Sequence, residues 1–468
     1  MNARPPAVAG RFYPDSPTKL AFAMRSLLEE ALPPHPEAPV GLIVPHAGYL
    51  FSGPIAADAF NQAAGHLYDL VVIFGTNHTT KKLDLAALPS ADAFATPLGD
   101  VVIPRDLVTS VLEAIRECVK DDHPHDVEHS IEVQLPFLQV VMPKVPILPI
   151  VIGSASFERC HAFGERLAQF LEGKNVLYIA SSDLSHYPTK ATAREIDEEV
   201  LQAILSLDSA TLQKIAQIRP AEDGDQLLTR ACGSSPIHAL LGAVTTVGAT
   251  AGVEISYANS GDTIFGEDDR VVGYSAMAFY RKDVEPVSPS KPNLPLGTAL
   301  LKFARRTLEM FLNGEVVPLP RGFGQAGMAQ QGAFVSLYNG KQLRGCVGHI
   351  TSDDPLALTV GKVALAAAEH DWRFTPVTAR ELPDLTIEIS VLTKPKSVAT
   401  IEEIKPGRDG VMIRKGNDKG VFLPKVAEEQ GWNREELLAH LCRKADLPAE
   451  AWRDGADLLT FQAEVFKE

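Results

Sequence analysis

Four short apolar runs place the strongest constraint on the first part of this 468-residue chain. They are VGLIV (40–44), LVVIF (70–74), VPILPIVI (145–152) and VLYIA (176–180). Continuous apolar runs between polar turns are typical of strands buried on both faces of a sheet. Helical patterns lie between the runs, for example at 17–31, 54–64 and 197–207. The first part is therefore predicted to be an α/β domain with a largely parallel sheet.

The composition is that of a globular protein, with 45% hydrophobic and 22% charged residues. No uninterrupted apolar run reaches the length of about 18 residues that a transmembrane helix needs, so we expect no membrane span. The N-terminus lacks the apolar core of a secretory signal. The five cysteines are scattered without any C-x-x-C pair. They predict reduced thiols in a cytoplasmic protein.

Charge and linker composition divide the chain. Residues 281–468 contain 25 basic and 25 acidic side chains, whereas residues 1–280 contain 19 and 34 and so account for the whole net charge of -15. This acidic surplus argues against a nucleic-acid partner. The Pro- and Ser-containing stretch 281–295 predicts a linker. We therefore predict domains at 1–280 and 296–468.

The second part has a different pattern. The runs AFVSLY and KQLRGCVGHI flank Asn339-Gly340, and Asn-Gly between alternating runs predicts a hairpin with a type I′ turn. A helical pattern at 355–370, a strand at 385–392 and a helix at 434–444 follow. The predicted fold class is α+β.

Three of the predicted strands of the first domain end in chemically similar segments. VGLIV continues into PHAGY with His46, LVVIF into GTNH with His78, and VLYIA into SSDLSHY with Asp183 and His186. Ligands of open α/β sheets bind beyond the carboxyl ends of the strands. The three histidines are therefore predicted to converge on one site.

A cysteine is the fourth candidate for that site. Cys232 lies in ACGSSP, just before a predicted helix, and a thiol near a helix N-terminus has a lowered pKa that favours the thiolate. The alternative is a buried apolar cysteine. With His46 and His78 it would complete a two-histidine, one-anion set that leaves coordination positions open. In the tract HPHDVEH (123–129), Pro124 predicts a loop from which His129 alone lines the site.

The string LRGCVG is the unusual feature of the second part. Arg344 lies two residues before Cys346, so both would share one strand face and Arg344 could stabilise a thiolate. The glycines on both sides would let a ligand approach the backbone. The string DWRF (371–374) could place charged groups beside Cys346. The alternative is a hairpin strand with a buried cysteine.

Residues 5–280 resemble the Memo family. The matching strings are AGRFYP, PHAGYLFSG, GTNH, EHSIEVQLP, SSDLSHY and ACGSSP. Memo proteins are similar to the class III extradiol dioxygenases (LigB-like), non-haem iron enzymes that open aromatic rings. The resemblance implies that His46, His78 and Cys232 are metal ligands, with Asp183, His186 and His129 lining the pocket. The dioxygenases have a carboxylate at the position of Cys232, and a thiolate is softer, binds copper and zinc well and donates more charge to iron.

Residues 294–468 resemble the AMMECR family, through GAFVSL, LRGCVG, DWRFTPV, IEISVLT, GVFLPKVAEEQGW and LCRKADLP. Both families belong to the AmmeMemoRadiSam system, as its proteins B (Memo) and A (AMMECR), and the chain resembles a fusion of the two. The resemblance implies a separate radical-SAM enzyme as partner, because this chain has no Cys-x3-Cys-x2-Cys motif.

Three hypotheses follow for the function. The first is a redox enzyme with Fe(II), or copper or zinc, that takes O₂ or a small-molecule substrate in dioxygenase- or oxidase-like chemistry, with His186, Asp183 and His129 as catalytic residues. The second is a non-catalytic metal-binding or scaffold protein that works with the radical-SAM enzyme. The third is a nucleophilic Cys346 assisted by Arg344.

Overall fold

The computed structural model describes residues 2–218, 227–282, 284, 294–317 and 319–468. The chain forms two units, Met1–Pro289 and Ser290–Glu468. Most of the predicted linker, namely 283 and 285–293, lies outside the described residues.

The first unit alternates strands with helices along most of its length. Its strands are β1 (Ala3–Arg4), β2 (Gly41–Val44), β3 (Leu70–Thr76), β4 (Ala86–Leu88), β5 (Ala93–Thr96), β6 (Gly99–Val102), β7 (Cys118–Lys120), β8 (Ile147–Ile152), β9 (Val176–Ser181), β10 (Ala251–Asn259) and β11 (Gly273–Tyr280). Its helices are α1 (Pro17–Glu29), α2 (Tyr49–Gln62), α3 (Arg105–Ala114), α4 (His123–Asp126), α5 (Leu135–Val141), α6 (Phe157–Phe170), α7 (Lys190–Leu205), α8 (Ser209–Ala216) and α9 (Ser234–Thr246). Single turns of 3-10 helix lie at Glu132–Gln134 and Ser260–Asp262.

The four predicted apolar runs form the centre of an eight-stranded sheet. Its strand order is β10-β11-β2-β9-β3-β8-β4-β7. The neighbours β2, β9, β3 and β8 are parallel. Every residue of these four strands is buried, as expected for strands covered on both faces. The α/β prediction is confirmed, with antiparallel pairing added at β10/β11, β11/β2 and β4/β8.

The N-terminal strand β1 belongs to a smaller sheet of the same unit, with the strand order β1-β5-β6. β1 pairs in parallel with β5, and β5 pairs antiparallel with β6. Arg4 of β1 is buried and donates hydrogen bonds to the carbonyls of His125 and Glu128, at 2.8 and 2.6 Å. The N-terminal strand therefore supports the segment that follows α4.

The second unit consists of two antiparallel sheets with helices. Its strands are β12 (Ala333–Asn339), β13 (Gln342–His349), β14 (Leu385–Leu392), β15 (Lys396–Ser397), β16 (Gly410–Lys415), β17 (Asp418–Phe422), β18 (Asp457–Phe461) and β19 (Ala463–Lys467). Its helices are α10 (Leu296–Leu312), α11 (Gly324–Met328), α12 (Leu356–Glu369), α13 (Pro424–Gln430) and α14 (Arg434–Lys444). The sheet orders are β13-β12-β14-β19 and β15-β18-β16-β17. Helix α12 packs on β12 and β13, and α14 packs on β16 and β17.

The predicted hairpin forms β12 and β13, but its turn differs from the prediction by one residue. Asn339 pairs with Gln342, so the loop is Gly340-Lys341, and Gly340 has a φ of 57°. The register shifts by one between Leu337 and Tyr338, which leaves Arg344 as the extra residue of a β-bulge. The register of the strands, with Asn339 paired to Gln342, therefore places the turn one residue later than the Asn-Gly pair predicts.

Among the described residues, no helix is both long enough and apolar enough to span a bilayer. The five cysteines form no disulfide: Cys118, Cys160 and Cys442 are buried, and Cys232 and Cys346 are partly exposed.

Candidate metal centre

Adjacent parallel strands deliver the first three site residues. His46 follows the end of β2 by two residues, Asp183 follows β9 by two, and His78 follows β3 by two. Since β9 lies between β2 and β3 in the sheet, the three residues emerge side by side at one edge.

Two further residues come from other parts of the unit. Cys232 lies two residues before α9, and His129 lies between α4 and the 3-10 turn at Glu132–Gln134. The tract around Pro124 is thus not wholly a loop, because residues 123–126 form the one-turn helix α4. His125 is buried there, with Nε2 3.1 Å from the carbonyl of Ala87, and takes no part in the site.

The described side chains form two groups that could each hold a metal ion. One is His46, His78 and His129, the other is His46, Asp183 and Cys232, and in each group the ligand atoms lie within 4.8 Å of one another. His46 belongs to both groups. The predicted ligand set His46, His78 and Cys232 is neither of these groups: His78 belongs to the first and Cys232 to the second.

The hydrogen bonds of Ser181 define which nitrogen of His46 carries its proton. Ser181 Oγ donates to the carbonyl of Ser130 at 2.6 Å and accepts from Gln134 Nε2 at 3.0 Å. Its only hydrogen is therefore used, and toward His46 Nδ1, at 3.0 Å, it can only accept. Nδ1 of His46 is protonated, so Nε2 has a free lone pair, and it faces Cys232 Sγ at 3.2 Å.

Glu128 orients the other two histidines. Its Oε1 lies 2.9 Å from Nδ1 of His78 and 3.3 Å from Nδ1 of His129, and it also accepts the backbone N–H of His129 and Ser130. Its Oε2 accepts the N–H of His78 at 2.8 Å. Burial raises the pKa of Glu128, but the hydrogen bonds and charges of His78 and His129 outweigh burial and hold that pKa at about 2. A carboxylate behind a histidine leaves Nε2 as the ligand atom, which is the usual support of a metal-binding imidazole.

The three rings have a defined arrangement. His78 and His129 stack at 4.7 Å between centroids and 20° between planes. His46 stands nearly perpendicular to both, at 5.0 Å from His78 and 5.3 Å from His129. The ring of Phe12 packs edge-on against His129 at 4.8 Å and forms an apolar wall.

Cys232 lies close to the end of β9 because Gly233 has no side chain. A Cβ on Gly233 would lie 2.4 Å from Cβ of Ser182, and the N–H of Gly233 donates to Ser182 Oγ at 2.9 Å. The N–H of Asp183 donates to Cys232 Sγ at 3.3 Å. This close approach brings the start of α9 against the sheet edge.

The electrostatics differ from the prediction for the thiol. Burial raises the pKa of Cys232 above its ordinary value, and the nearby charge of Asp183 raises it further, so the pKa is raised where a lowered one was predicted. Burial also raises the pKa of Asp183. It lowers the pKa of His46 well below 6.5, with the neighbouring His129 and His78 adding to the effect. His46 is therefore a neutral imidazole, which is the form that binds metals.

His186 lies outside both groups. Its Nδ1 is 3.0 Å from the carbonyl of Leu184, and its backbone bridges to Thr229 and Val272. In the described residues, the three clustered histidines are thus His46, His78 and His129. Sequence reasoning missed Glu128, Ser181 and Gln134, although Glu128 directly precedes His129 in the same tract.

In the second unit, the guanidinium of Arg344 binds groups other than the thiol of Cys346. The guanidinium bonds Glu381 at 2.6 Å and the carbonyls of Thr375 and Pro376 at 2.8 and 3.2 Å. The thiol of Cys346 instead accepts a hydrogen bond from Ser336 Oγ at 3.2 Å. The bulge at Arg344 breaks the strand periodicity on which the predicted pairing of the two side chains depended.

The segment 371–374 does lie beside Cys346. Asp371 accepts the N–H of Cys346 at 2.8 Å, and Arg373 donates to its carbonyl at 3.1 Å while also pairing with Asp371. The flanking glycines face protein atoms: a Cβ on Gly345 would lie 2.1 Å from the carbonyl oxygen of Ala367, and one on Gly348 would lie 2.3 Å from the ring of Phe334. Both glycines thus allow close packing, which leaves no space there for a ligand to approach.

Comparison with known proteins gives matches to both parts of the chain. A family model described as Memo-like protein matches residues 4–278, and one described as AMMECR1 matches residues 301–466. A MEMO1 family protein of Methanosarcina mazei is 38% identical over 280 residues, which cover 59% of this chain and 99% of that protein. A MEMO1 family protein of Aquifex aeolicus is 35% identical over 280 residues, covering 60% of this chain and 100% of that protein.

Among solved structures, an uncharacterised protein of Pyrococcus horikoshii is 37% identical and covers 37% of this chain and 91% of its own, with a TM-score of 0.36. The first family match covers more than half of the chain, and the relatives match over their whole length. This chain therefore belongs to the Memo family and carries an AMMECR1 domain after its Memo domain.

Proposed function

We propose that the Memo domain binds one transition-metal ion through His46, His78 and Cys232 and that the bound ion carries out redox chemistry. The observation that carries the proposal is the 3.2 Å approach of the unprotonated Nε2 of His46 to Cys232 Sγ. Two imidazoles and one thiolate leave coordination positions open, as catalytic metal sites do.

The residues present fit a metal ion. The Nδ1 protons of His46 and His78 are held by Ser181 and Glu128, so both Nε2 lone pairs are free to bind. The pKa of Cys232 is raised by burial, and a neighbouring dication would favour the thiolate because it supplies the missing positive charge. This is the donor arrangement expected of a site built for a cation.

Iron(II) is the first ion proposed, by the resemblance of Memo proteins to extradiol dioxygenases. Copper is the alternative for redox chemistry, because thiolate and imidazole donors suit it. Zinc suits the same donors but has no redox couple, so a zinc-loaded protein would contradict the redox part of the proposal. When bound, iron or copper would supply a one-electron couple that can react with O₂ or a small reductant. Metal analysis of the purified protein discriminates among the three ions.

The surrounding side chains would handle protons and exclude water. Asp183 is buried beside His46, and burial raises its pKa above the ordinary value of an aspartate. His129 is a second proton acceptor of the site, and His186 follows from the same loop as Asp183. Phe12 shields the face of the site at His129. Together these residues form the proposed acid–base set.

The test is metal content after anaerobic purification, followed by O₂ uptake with a panel of reductants and catechols. The wild type is expected to carry about one iron or copper per chain, as one ligand set predicts. His46→Ala should lose it, and the matched variant His161→Ala, on α6, should retain it. A wild type without metal even after reconstitution would refute the proposal. Stoichiometric metal without turnover would leave a non-catalytic metal-binding protein.

A scaffold role is the second candidate, favoured by one feature of the AMMECR1 domain. The side chain of Trp372 is 91% exposed, directly between the ion-paired Asp371 and Arg373. Exposed tryptophan beside arginine is typical of protein interfaces. The partner proposed by resemblance is the radical-SAM enzyme of the same system. Trp372→Ala should abolish co-purification with it, whereas normal binding would exclude this role for Trp372.

A further inference from the structure

We infer that the proposed metal centre has an exchangeable third ligand, in which His129 takes the place of Cys232 on an ion held by His46 and His78. The inference rests on the proposed function, because it concerns the same ion. It adds a second ligand set and a way for the centre to change its charge without releasing its metal.

The first step is geometric. The ligand atoms of His46, His78 and His129 lie within 4.8 Å of one another, as closely grouped as those of His46, Asp183 and Cys232. The stacked rings of His78 and His129 stand nearly perpendicular to the ring of His46. The three histidines thus form a candidate ligand group that does not include Cys232.

The second step is that His129 is held as a ligand would be. The same Oε1 of Glu128 faces Nδ1 of His78, at 2.9 Å, and Nδ1 of His129, at 3.3 Å. The buried carboxylate thus hydrogen-bonds Nδ1 of His78 and lies in ion-pair contact with Nδ1 of His129. In both rings Nε2 is the nitrogen that the carboxylate does not contact, so it is the nitrogen open to an ion.

The third step is that both sets depend on one lone pair. Nδ1 of His46 is protonated and bound to Ser181, so Nε2 is its only ligand atom. Cys232 and His129 stand in different groups that share only His46. An ion on His46 and His78 therefore has two candidate third ligands, Cys232 from one group and His129 from the other.

The two sets differ in charge. When Cys232 leaves the ion, its sulfur takes up one proton from solvent and the lone pair of His129 fills the vacated position. The ligands then carry one negative charge fewer, and three imidazoles replace a set containing a soft thiolate. Loss or capping of the thiol would change the electronic properties of the centre while the ion remains in place.

The experiment uses the full chain, freed of metal and titrated with Co(II), whose absorption reports thiolate ligation. The wild type is expected to bind one ion per chain and to show a thiolate-to-cobalt charge-transfer band. Cys232→Ala should still bind one ion per chain, without that band. The double variant Cys232→Ala/His129→Ala should lose stoichiometric binding, while His129→Ala alone keeps the band.

Two controls separate the outcomes. His161→Ala removes a histidine from α6 and should behave as the wild type, and circular dichroism of each variant establishes that it is folded. Wild-type protein alkylated at Cys232 should reproduce Cys232→Ala without any substitution. If folded Cys232→Ala binds no cobalt, or if the double variant binds as well as Cys232→Ala, the exchange is refuted while the proposed function stands. If the wild type itself binds neither cobalt nor iron, the proposed function fails first.

Discussion

Cys232 and Cys346 are both partly exposed cysteines beside a buried aspartate, yet their surroundings differ in one respect. Around Cys232, the lone pair of His46 Nε2 faces only the thiol itself, at 3.2 Å, and among the described residues no group bonds Nε2 of His78. Around Cys346, the charged groups already bind one another or the backbone: Asp371 pairs with Arg373, and Arg344 pairs with Glu381. Cys232 therefore lies beside histidine nitrogens that could bind an ion. Cys346 lies on a strand edge whose polar groups are already paired.

This difference shows that the residue types near a cysteine do not by themselves define a site. The N–H and C=O of Cys346 face away from β12, at the edge of the sheet. Asp371 and Arg373 bond these two groups, which could otherwise pair with an additional strand. The pair therefore protects the edge of the sheet. Glu128, by contrast, leaves the two histidines that it orients with free Nε2 atoms.

The largest expected effect compares how the carboxylates of Glu128 and Asp371 contribute to metal affinity. Glu128→Gln should weaken metal binding about 10- to 100-fold, because loss of a carboxylate behind a ligand typically has that effect. Asp371→Asn, the matched change beside Cys346, should leave metal affinity unchanged. Both are measured by competition with a chelator of known affinity. If Glu128→Gln bound metal as tightly as the wild type, the surroundings of Cys232 and Cys346 would not differ in the way described above.

The glycines next to the two cysteines give the second comparison. Gly233→Ala and Gly345→Ala each force a Cβ into close contact, at 2.4 Å from Ser182 Cβ and 2.1 Å from the Ala367 oxygen. Each should lower the free energy of unfolding of its own domain by about 1–3 kcal/mol, measured by denaturant titration. Only Gly233→Ala should also weaken metal binding, since it displaces Cys232 from His46. Weaker metal binding in Gly345→Ala would contradict this.

Thiol reactivity of the metal-free protein gives a smaller effect. Because burial and Asp183 raise the pKa of Cys232, its thiolate fraction at pH 7 is low. Alkylation of Cys232 should be about tenfold slower than that of a free thiol, and its rate should continue to rise with pH above 9. Peptide mass spectrometry follows both cysteines in one sample. A rate for Cys232 that levels off below pH 8 would show a lowered pKa instead.

The smallest effect concerns Arg344. Arg344→Met should leave the alkylation rate of Cys346 unchanged, because its guanidinium is bound to Glu381 and two carbonyls. It should cost about 1 kcal/mol of the second domain's stability, as expected for a partly exposed ion pair. A marked fall in Cys346 reactivity would restore the idea that Arg344 stabilises the thiolate.

Much of the fold could be read from the sequence because its signals are local. Continuous apolar runs correspond to β2, β3, β8 and β9, and the strand 385–392 and the helix 434–444 lie where their patterns predict them. The turn of the β12/β13 hairpin was predicted one residue early. The position of the turn depends on the register in which the two strands pair, and the Asn-Gly signal contains no information about that register.

The residues of the candidate site that follow the ends of strands could be predicted from the sequence. The residues that act through hydrogen bonds could not. His46, Asp183 and His78 follow from the rule that parallel strands present their ends at one edge. Glu128 and Ser181 act through hydrogen bonds to residues distant in the chain, so no local pattern marks them. His186 has the same local signal as His46 and His78, but its ring turns toward the carbonyl of Leu184.

The amino-acid sequence alone specified two domains, an α/β sheet, and the residue types of the candidate metal centre. Periodicity and strand-end motifs are properties of short segments, so they can be read without the folded structure. Only the tertiary structure decided which histidine nitrogens carry a proton and which have a lone pair available to an ion. Ser181 and Glu128 define which nitrogens remain free, and Asp371 and Glu381 neutralise the charges near Cys346. Hydrogen bonds require distances of about 3 Å between residues far apart in the chain, and only the folded structure brings those residues together.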